Sequence, residues 1–311
     1  MKFGMVFPGQ GSQSKGMLEG YGDAPEVREV LEVASEVLRQ DIAKLIADGP
    51  TDELNKTVNT QPVMLTAGYA AYRVWRALGG PEPAVLAGHS LGEYTALVAA
   101  GALTFADALP LVRLRAQAMQ EAVPAGQGAM AAVIGLDDEA IRAACAEAAQ
   151  GEVVEAVNFN APGQVVIAGH AEAVGRAVDA ARARGARRAV PLPVSAPFHS
   201  SLLAPAAARL REHLRSVPMQ PPRIPVIHNV DVQSYDDPER IKDALVRQAD
   251  HAVRWVECVR AMTAHGVALV VECGPGKVLA PLVKRIVAGA DGVALPDRDA
   301  IMQAIASVRG A

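Results

Sequence analysis

Short apolar runs alternate with amphipathic stretches along most of the chain, and that alternation predicts a mixed α/β protein. Residues 3–7 (FGMVF) form an apolar run closed by Pro8-Gly9, as a buried strand passing into a loop would. From 26 to 46, residues Val27, Val30, Leu31, Ala34, Val37 and Leu38 recur at helical spacing and predict one long helix. A second helix is predicted over 63–78. A compact strand at 84–87 leads into a helix over 91–100, which Gly101 is placed to stop. Thr104 and Asp107 fit a capping box for a further helix through Met119. Pro110 lacks an N–H and crowds the preceding turn, so a kink or a late start is expected there.

Beyond Gly128 the pattern predicts strand 129–134, helix 137–148, strands 153–158 and 164–168, helix 171–184 and strand 188–192. The order βαββαβ is that of a ferredoxin-like unit. Proline and glycine mark both its ends, so residues 125–194 are expected to form a small inserted domain. The large domain, 1–124 and 195–311, resumes with a strand at 226–228, helices at 238–249 and 255–265, a strand at 267–271 and a helix after Gly276. Strands alternating with helices imply a mostly parallel sheet covered on both faces.

Composition narrows the function. The chain has 311 residues, enough for one large or two ordinary domains, and its net charge of -4 argues against nucleic acid as the main partner. Cys145, Cys258 and Cys273 are far apart and show no metal spacing, which suits a reducing, cytoplasmic setting. No signal peptide core or membrane span is read.

The candidate chemistry centres on AGHSLGEY at 87–94, which contains the pattern G-x-S-x-G. The pattern alone is weak. Here a strand precedes Ser90 and a helix follows, as in a nucleophile elbow, where a helix N-terminus can also stabilise an oxyanion. The plainer alternative makes Ser90 a helix N-cap. A serine needs a base. His89 is expected to buttress the turn, His213 to be solvated and His265 to cap a helix end. His199 stands where the chain returns from the inserted domain, in SAPFHS.

Six segments taken together resemble the malonyl-CoA:acyl carrier protein transacylases: FPGQGSQ at 7–13, GHSLGE at 88–93, RLRAQAMQ at 113–120, NFNAPGQVVIAG at 158–169, SAPFHS at 195–200 and ECGPGKVLAPLVKRI at 272–286. The resemblance spans nearly the whole chain. It implies an α/β-hydrolase-like large domain with a ferredoxin-like small one, and transfer of malonyl from malonyl-CoA to acyl carrier protein through a serine ester. It makes Ser90 the nucleophile, His199 the base, Gln10 and the Leu91 N–H the oxyanion hole, and Gln248 the residue orienting His199. Arg115 would clamp the substrate carboxylate. Arg113 lies about 200° around the same helix and cannot share that role, but the residues alone do not choose between the two. Asn160 is a candidate substrate contact or a turn residue. Phe198 is a candidate for favouring malonyl over methylmalonyl. No metal or redox cofactor and a monomeric enzyme are implied.

The absence of an acid orienting His199 suits a thioester, whose thiol leaving group, with a pKa of about 8.5, needs little protonation. Ala252 stands where the family usually has proline, which predicts a looser loop. The acidic carrier needs a basic landing surface, for which Arg182, Arg184, Arg187 and Arg188, or Lys277, Lys284 and Arg285, are candidates. A serine hydrolase and a non-catalytic synthase subunit are the rival readings. A patatin-like hydrolase would carry D-G-G or D-G-A, and Asp291-Gly292-Val293 lacks the small third residue.

Overall fold

The computed structural model describes residues 1–194 and 196–310. Its first part runs β1 (Phe3–Phe7), α1 (Pro25–Leu38), α2 (Ile42–Asp48), α3 (Thr51–Leu54), α4 (Thr57–Ala77), β2 (Val85–Gly88), α5 (Gly92–Ala99) and α6 (Phe105–Glu121). A second group follows: β3 (Gly128–Ile134), α7 (Asp138–Ala149), β4 (Val154–Ala161), β5 (Gln164–His170), α8 (Ala171–Ala183) and β6 (Arg188–Pro191). The chain ends with α9 (Ala204–Leu214), β7 (Val226–Ile227), α10 (Pro238–Asp250), α11 (Trp255–Ala264), β8 (Leu269–Glu272), α12 (Ala280–Ile286), β9 (Asp291–Ala294) and α13 (Arg298–Arg309).

Two sheets result. One is parallel, in the order β7-β2-β1-β8-β9. The other is antiparallel, in the order β4-β5-β3-β6. Successive side chains of a strand point to opposite faces. Accordingly Phe3, Met5 and Phe7 enter the largest core while Val6 enters a second one with Trp255 and Val283. The antiparallel sheet divides likewise. Ala131, Val133, Val165 and Ile167 pack with α7 and α8, whereas Met130, Val166 and Ala168 join the core shared with the parallel sheet.

Several expected bounds move, for physical reasons. The helix expected over 26–46 is two helices. Arg39 turns left-handed at φ 50°, and Asp41 caps α2 by accepting from Lys44 N–H at 2.9 Å. Buried apolar residues continue across the break, which is why the spacing looks unbroken. Helix α4 starts six residues before Val63 because its first turns bury Thr57, Asn59, Thr60 and Gln61, polar residues that carry no apolar period. Helix α6 starts at Phe105 despite Pro110, capped as expected by Thr104, which accepts from Asp107 N–H at 3.1 Å. Strand β4 runs on to Ala161 through irregular register after Ala156, and β9 and α13 had no expected counterpart. Ser195, the first residue of SAPFHS and of the expected second part of the large domain, lies outside the described residues.

Candidate active site

Ser90 sits on the turn between β2 and α5 at φ 51°, a left-handed conformation that a non-glycine residue rarely adopts. The flanking glycines are required by close approach. A Cβ on Gly88 would lie 1.9 Å from the Gly92 carbonyl carbon, and one on Gly92 would lie 2.1 Å from Phe7 O. One amide grips the turn from behind. Asn229 Oδ1 accepts from Ser90 N–H at 2.8 Å while its Nδ2 donates to Gly88 O at 2.8 Å.

His199 comes from 109 positions away, and its Nε2 lies 2.7 Å from Ser90 Oγ. Its Nδ1 lies 2.8 Å from the Gln248 main-chain carbonyl. A carbonyl only accepts, so Nδ1 carries the proton and Nε2 accepts from the serine hydroxyl. The atom that holds the ring is therefore the main-chain oxygen of Gln248, not its side chain. The side chain does something else: Oε1 accepts from Arg115 at 2.9 Å and Nε2 donates to Glu93 at 2.9 Å and to Ser90 O at 3.0 Å. His199 is buried, and that burial, helped by the Arg115 charge, lowers its pKa to about 3. The imidazole is neutral at physiological pH and ready to accept a proton.

Arg115 is only 2 % exposed. Its Nη1 donates to Gln61 at 2.8 Å and its Nη2 to Ser90 Oγ at 3.1 Å, and its guanidinium lies over the Tyr94 ring at 5.3 Å. It forms no ion pair among the described residues, and its Nε has no partner. Burial works against its charge, yet arginine stays protonated at neutral pH. A buried cation whose hydrogen-bond partners are neutral amides and a hydroxyl is a strong anion receptor. Arg113 points elsewhere, donating to Gln40 at 2.6 Å. Glu93, also fully buried, is held by His228 and Asn229, at 2.7 and 2.8 Å.

These groups open onto a cleft of about 130 Å³, lined among others by Gln10, Ser90, Leu91, Arg115, Phe198 and His199. The main-chain N–H groups of Gln10 and Leu91 donate to no described residue. Gln10 also borders an outer basin of about 560 Å³ that reaches Lys56 and Thr57. Asn160 stands beside the cleft rather than in its lining: its Oδ1 accepts from His89 Nε2 at 2.8 Å, and His89 packs on Trp255. Asn158, two residues earlier, does line the cleft, with a buried and unpartnered Oδ1. Sequence reading missed Gln61, Glu93, Asn158 and Asn229. Only Glu93 and Asn158 lay inside a quoted segment. Of the basic surface candidates, Arg182, Arg184 and Lys284 are tied to acids, while Arg187, Arg188 and Lys277 form no ion pair among the described residues.

The family described as acyl transferase domain matches residues 5–295. The malonyl CoA-acyl carrier protein transacylase of Escherichia coli is 53 % identical over 305 residues, covering 98 % of this chain and 99 % of that one. The chain belongs to this family. An acyl-carrier-protein S-malonyltransferase crystal structure from Burkholderia pseudomallei superposes with a TM-score of 0.97 at 62 % identity, covering 98 % of this chain and 99 % of that one. Another family member, a malonyl-transacylase solved with its type II PKS acyl-carrier protein, gives a TM-score of 0.97 at 50 % identity and covers 99 % and 100 % of the two chains. Membership makes the protein an acyltransferase with a mixed α/β fold. Among the described residues no cluster of three His, Cys, Asp or Glu side chains could hold a metal ion, and no helix is long and apolar enough to cross a membrane.

Proposed function

We propose that this protein transfers malonyl from malonyl-CoA to the phosphopantetheine thiol of acyl carrier protein, supplying extender units for fatty-acid synthesis. The malonyl carboxylate pairs with Arg115. Ser90 Oγ attacks the thioester carbon as its proton passes to His199 Nε2. The oxyanion rests on the N–H groups of Gln10 and Leu91. The C–S bond breaks, the CoA thiolate takes the proton from His199, and a malonyl-serine ester remains. The carrier thiol then gives its proton to His199 and attacks the ester, and Ser90 leaves reprotonated. Gln248 orients the base through its carbonyl, and Phe198 shapes the space beside the acyl group. Asn160 acts through His89.

The observation that carries this reading is the buried Arg115, which forms no ion pair among the described residues and lies 3.1 Å from Ser90 Oγ. A cation there selects an acyl group that ends in a carboxylate. Each half-reaction exchanges a thiol and the Ser90 hydroxyl at one acyl carbon with no change of oxidation state, so His199 and the oxyanion hole supply the chemistry without metal or redox cofactor. The strand order β4-β5-β3-β6, with α7 and α8 on one face, supports a ferredoxin-like domain at 125–194 inserted in an α/β-hydrolase-like one at 1–124 and 195–311. One chain supplies every group of the site, which is compatible with the monomer that the family resemblance implies. The buried free cysteines suit the cytoplasm. The test is the intact mass of the protein after mixing with malonyl-CoA. A malonyl adduct is expected, absent in Ser90→Ala and discharged by carrier protein. Rapid release of free malonate without transfer would establish a hydrolase instead.

A further inference from the structure

Strand β4 of the antiparallel sheet touches three of the segments that build the site. Asn160 holds His89, the neighbour of Ser90. Val253, five residues past Gln248, exchanges main-chain bonds with it, Val253 N–H to Val157 O at 2.8 Å and Phe159 N–H to Val253 O at 3.0 Å. The third tie is made by a charge. Glu155 Oε2 accepts from Ser201 N–H and Oε1 from Ser201 Oγ, both at 2.8 Å. Ser201 lies two residues past His199 and opens the single turn Ser201–Leu203 that leads into α9.

His199 needs such a hold. It sits at φ 65°, a left-handed conformation that costs a histidine roughly 1–2 kcal/mol and persists only where its surroundings impose it. A bond local to the loop closes around it, Ser200 Oγ donating to Pro197 O at 2.7 Å. On its downstream side the grip comes from the other sheet.

We propose that Glu155 is a positioning residue for His199: by gripping Ser201 across the boundary between the two sheets, it keeps the imidazole within reach of Ser90 Oγ. Base placement then depends on the antiparallel sheet being seated. The inference rests on reading Ser90 and His199 as nucleophile and base. Glu155 meets no substrate. It faces an outer groove of about 580 Å³ shared with Arg142, Asp250 and His251, away from the cleft that holds Ser90. It is partly exposed, so its replacement leaves no buried cavity.

The experiment measures the rate of malonyl-Ser90 formation by rapid quench and intact mass, in the full chain. Glu155→Ala should slow acylation roughly tenfold at saturating malonyl-CoA, the effect of about 1.4 kcal/mol in the barrier. KM should hold, because Arg115 and its amide partners do not contact Glu155. Glu155→Gln should restore most of the rate, since its amide can still accept from the Ser201 N–H and donate to its hydroxyl. Ser201→Ala should fall between. In a His199→Ala background Glu155→Ala should add nothing. An unchanged rate in Glu155→Ala, an equal slowing in the His199→Ala background, or failure of Glu155→Gln to rescue would each overturn the proposal. A normal rate in His199→Ala alone would instead overturn the assignment of the base, and that variant reads it out separately.

Discussion

Arg115 and His199 are adjacent in space and opposed in charge preference, and the first two predictions come from that. Arg115 is a cation whose described hydrogen-bond partners are amides and a hydroxyl, so a substrate carboxylate would be its first acid partner. Charge-assisted bonds of this type contribute about 1.5–3 kcal/mol each. Arg115→Ala should therefore lower kcat/KM for malonyl-CoA by about a hundredfold or more and leave acetyl-CoA nearly unchanged. Steady-state kinetics with both donors checks this, and equal losses would remove Arg115 as the carboxylate clamp. The second prediction concerns pH. Burial first, then the Arg115 charge, holds His199 at about 3, so kcat/KM should stay flat well below pH 6. A bound carboxylate offsets the Arg115 charge, so the acid limb of kcat should lie at higher pH than that of kcat/KM. The same shift bears on stability. The unfolded chain protonates this ring near about 6.5, far more readily than the folded one. The contribution is full above that pH and is lost as pH falls toward about 3. Denaturation midpoints should drop over this window, less steeply in His199→Ala.

The strand–turn–helix around Ser90 was readable because its constraints are local. Glycine is demanded at 88 and 92 by backbone atoms only a few residues away or on the neighbouring strand, and these cannot shift like a flexible side chain. Gly88→Ala and Gly92→Ala should each cost at least about 3 kcal/mol and abolish Ser90 acylation, as calorimetry and adduct mass would show. An adduct at normal rate in either variant would contradict the packing described for the elbow. Less local features were less readable. The start of α4 was missed because its buried face is Thr57, Asn59, Thr60 and Gln61, and amide pairing with a distant arginine leaves no apolar period. The family resemblance named Gln248 as the residue orienting His199 without saying which of its atoms does so. Helix α10 ends two residues later, leaving the Gln248 carbonyl available for Nδ1. A main-chain acceptor leaves no mark on residue identity. The break between α1 and α2 was hidden because apolar spacing reports which residues face the core, not whether the backbone between them is continuous.

At the scale of the molecule, the order of strands and helices revealed two sheets, whereas the way they meet was invisible. Ser90 and Gln248 are 158 positions apart and bond directly, while their neighbours His89 and Val253 are tied to β4, a strand read only as part of the smaller unit. Asn160 shows the difference. Its place in a family segment suggested a substrate contact or a turn, and the structure occupies its oxygen with His89. Asn160→Ala should lower stability by about 1 kcal/mol and shift the melting temperature by roughly 2–4 °C, with KM for malonyl-CoA little changed. A large rise in KM with an unchanged melting temperature would return Asn160 to the substrate. The two left-handed residues have a consequence for the whole chain as well. Ser90 and His199 are held at φ 51° and 65°, where glycine or asparagine would rest more easily. A library of variants sorted for heat endurance alone would drift toward those residues at 90 and 199, and its most durable members would be inert. Longevity and turnover pull in opposite directions at the proposed nucleophile and its base.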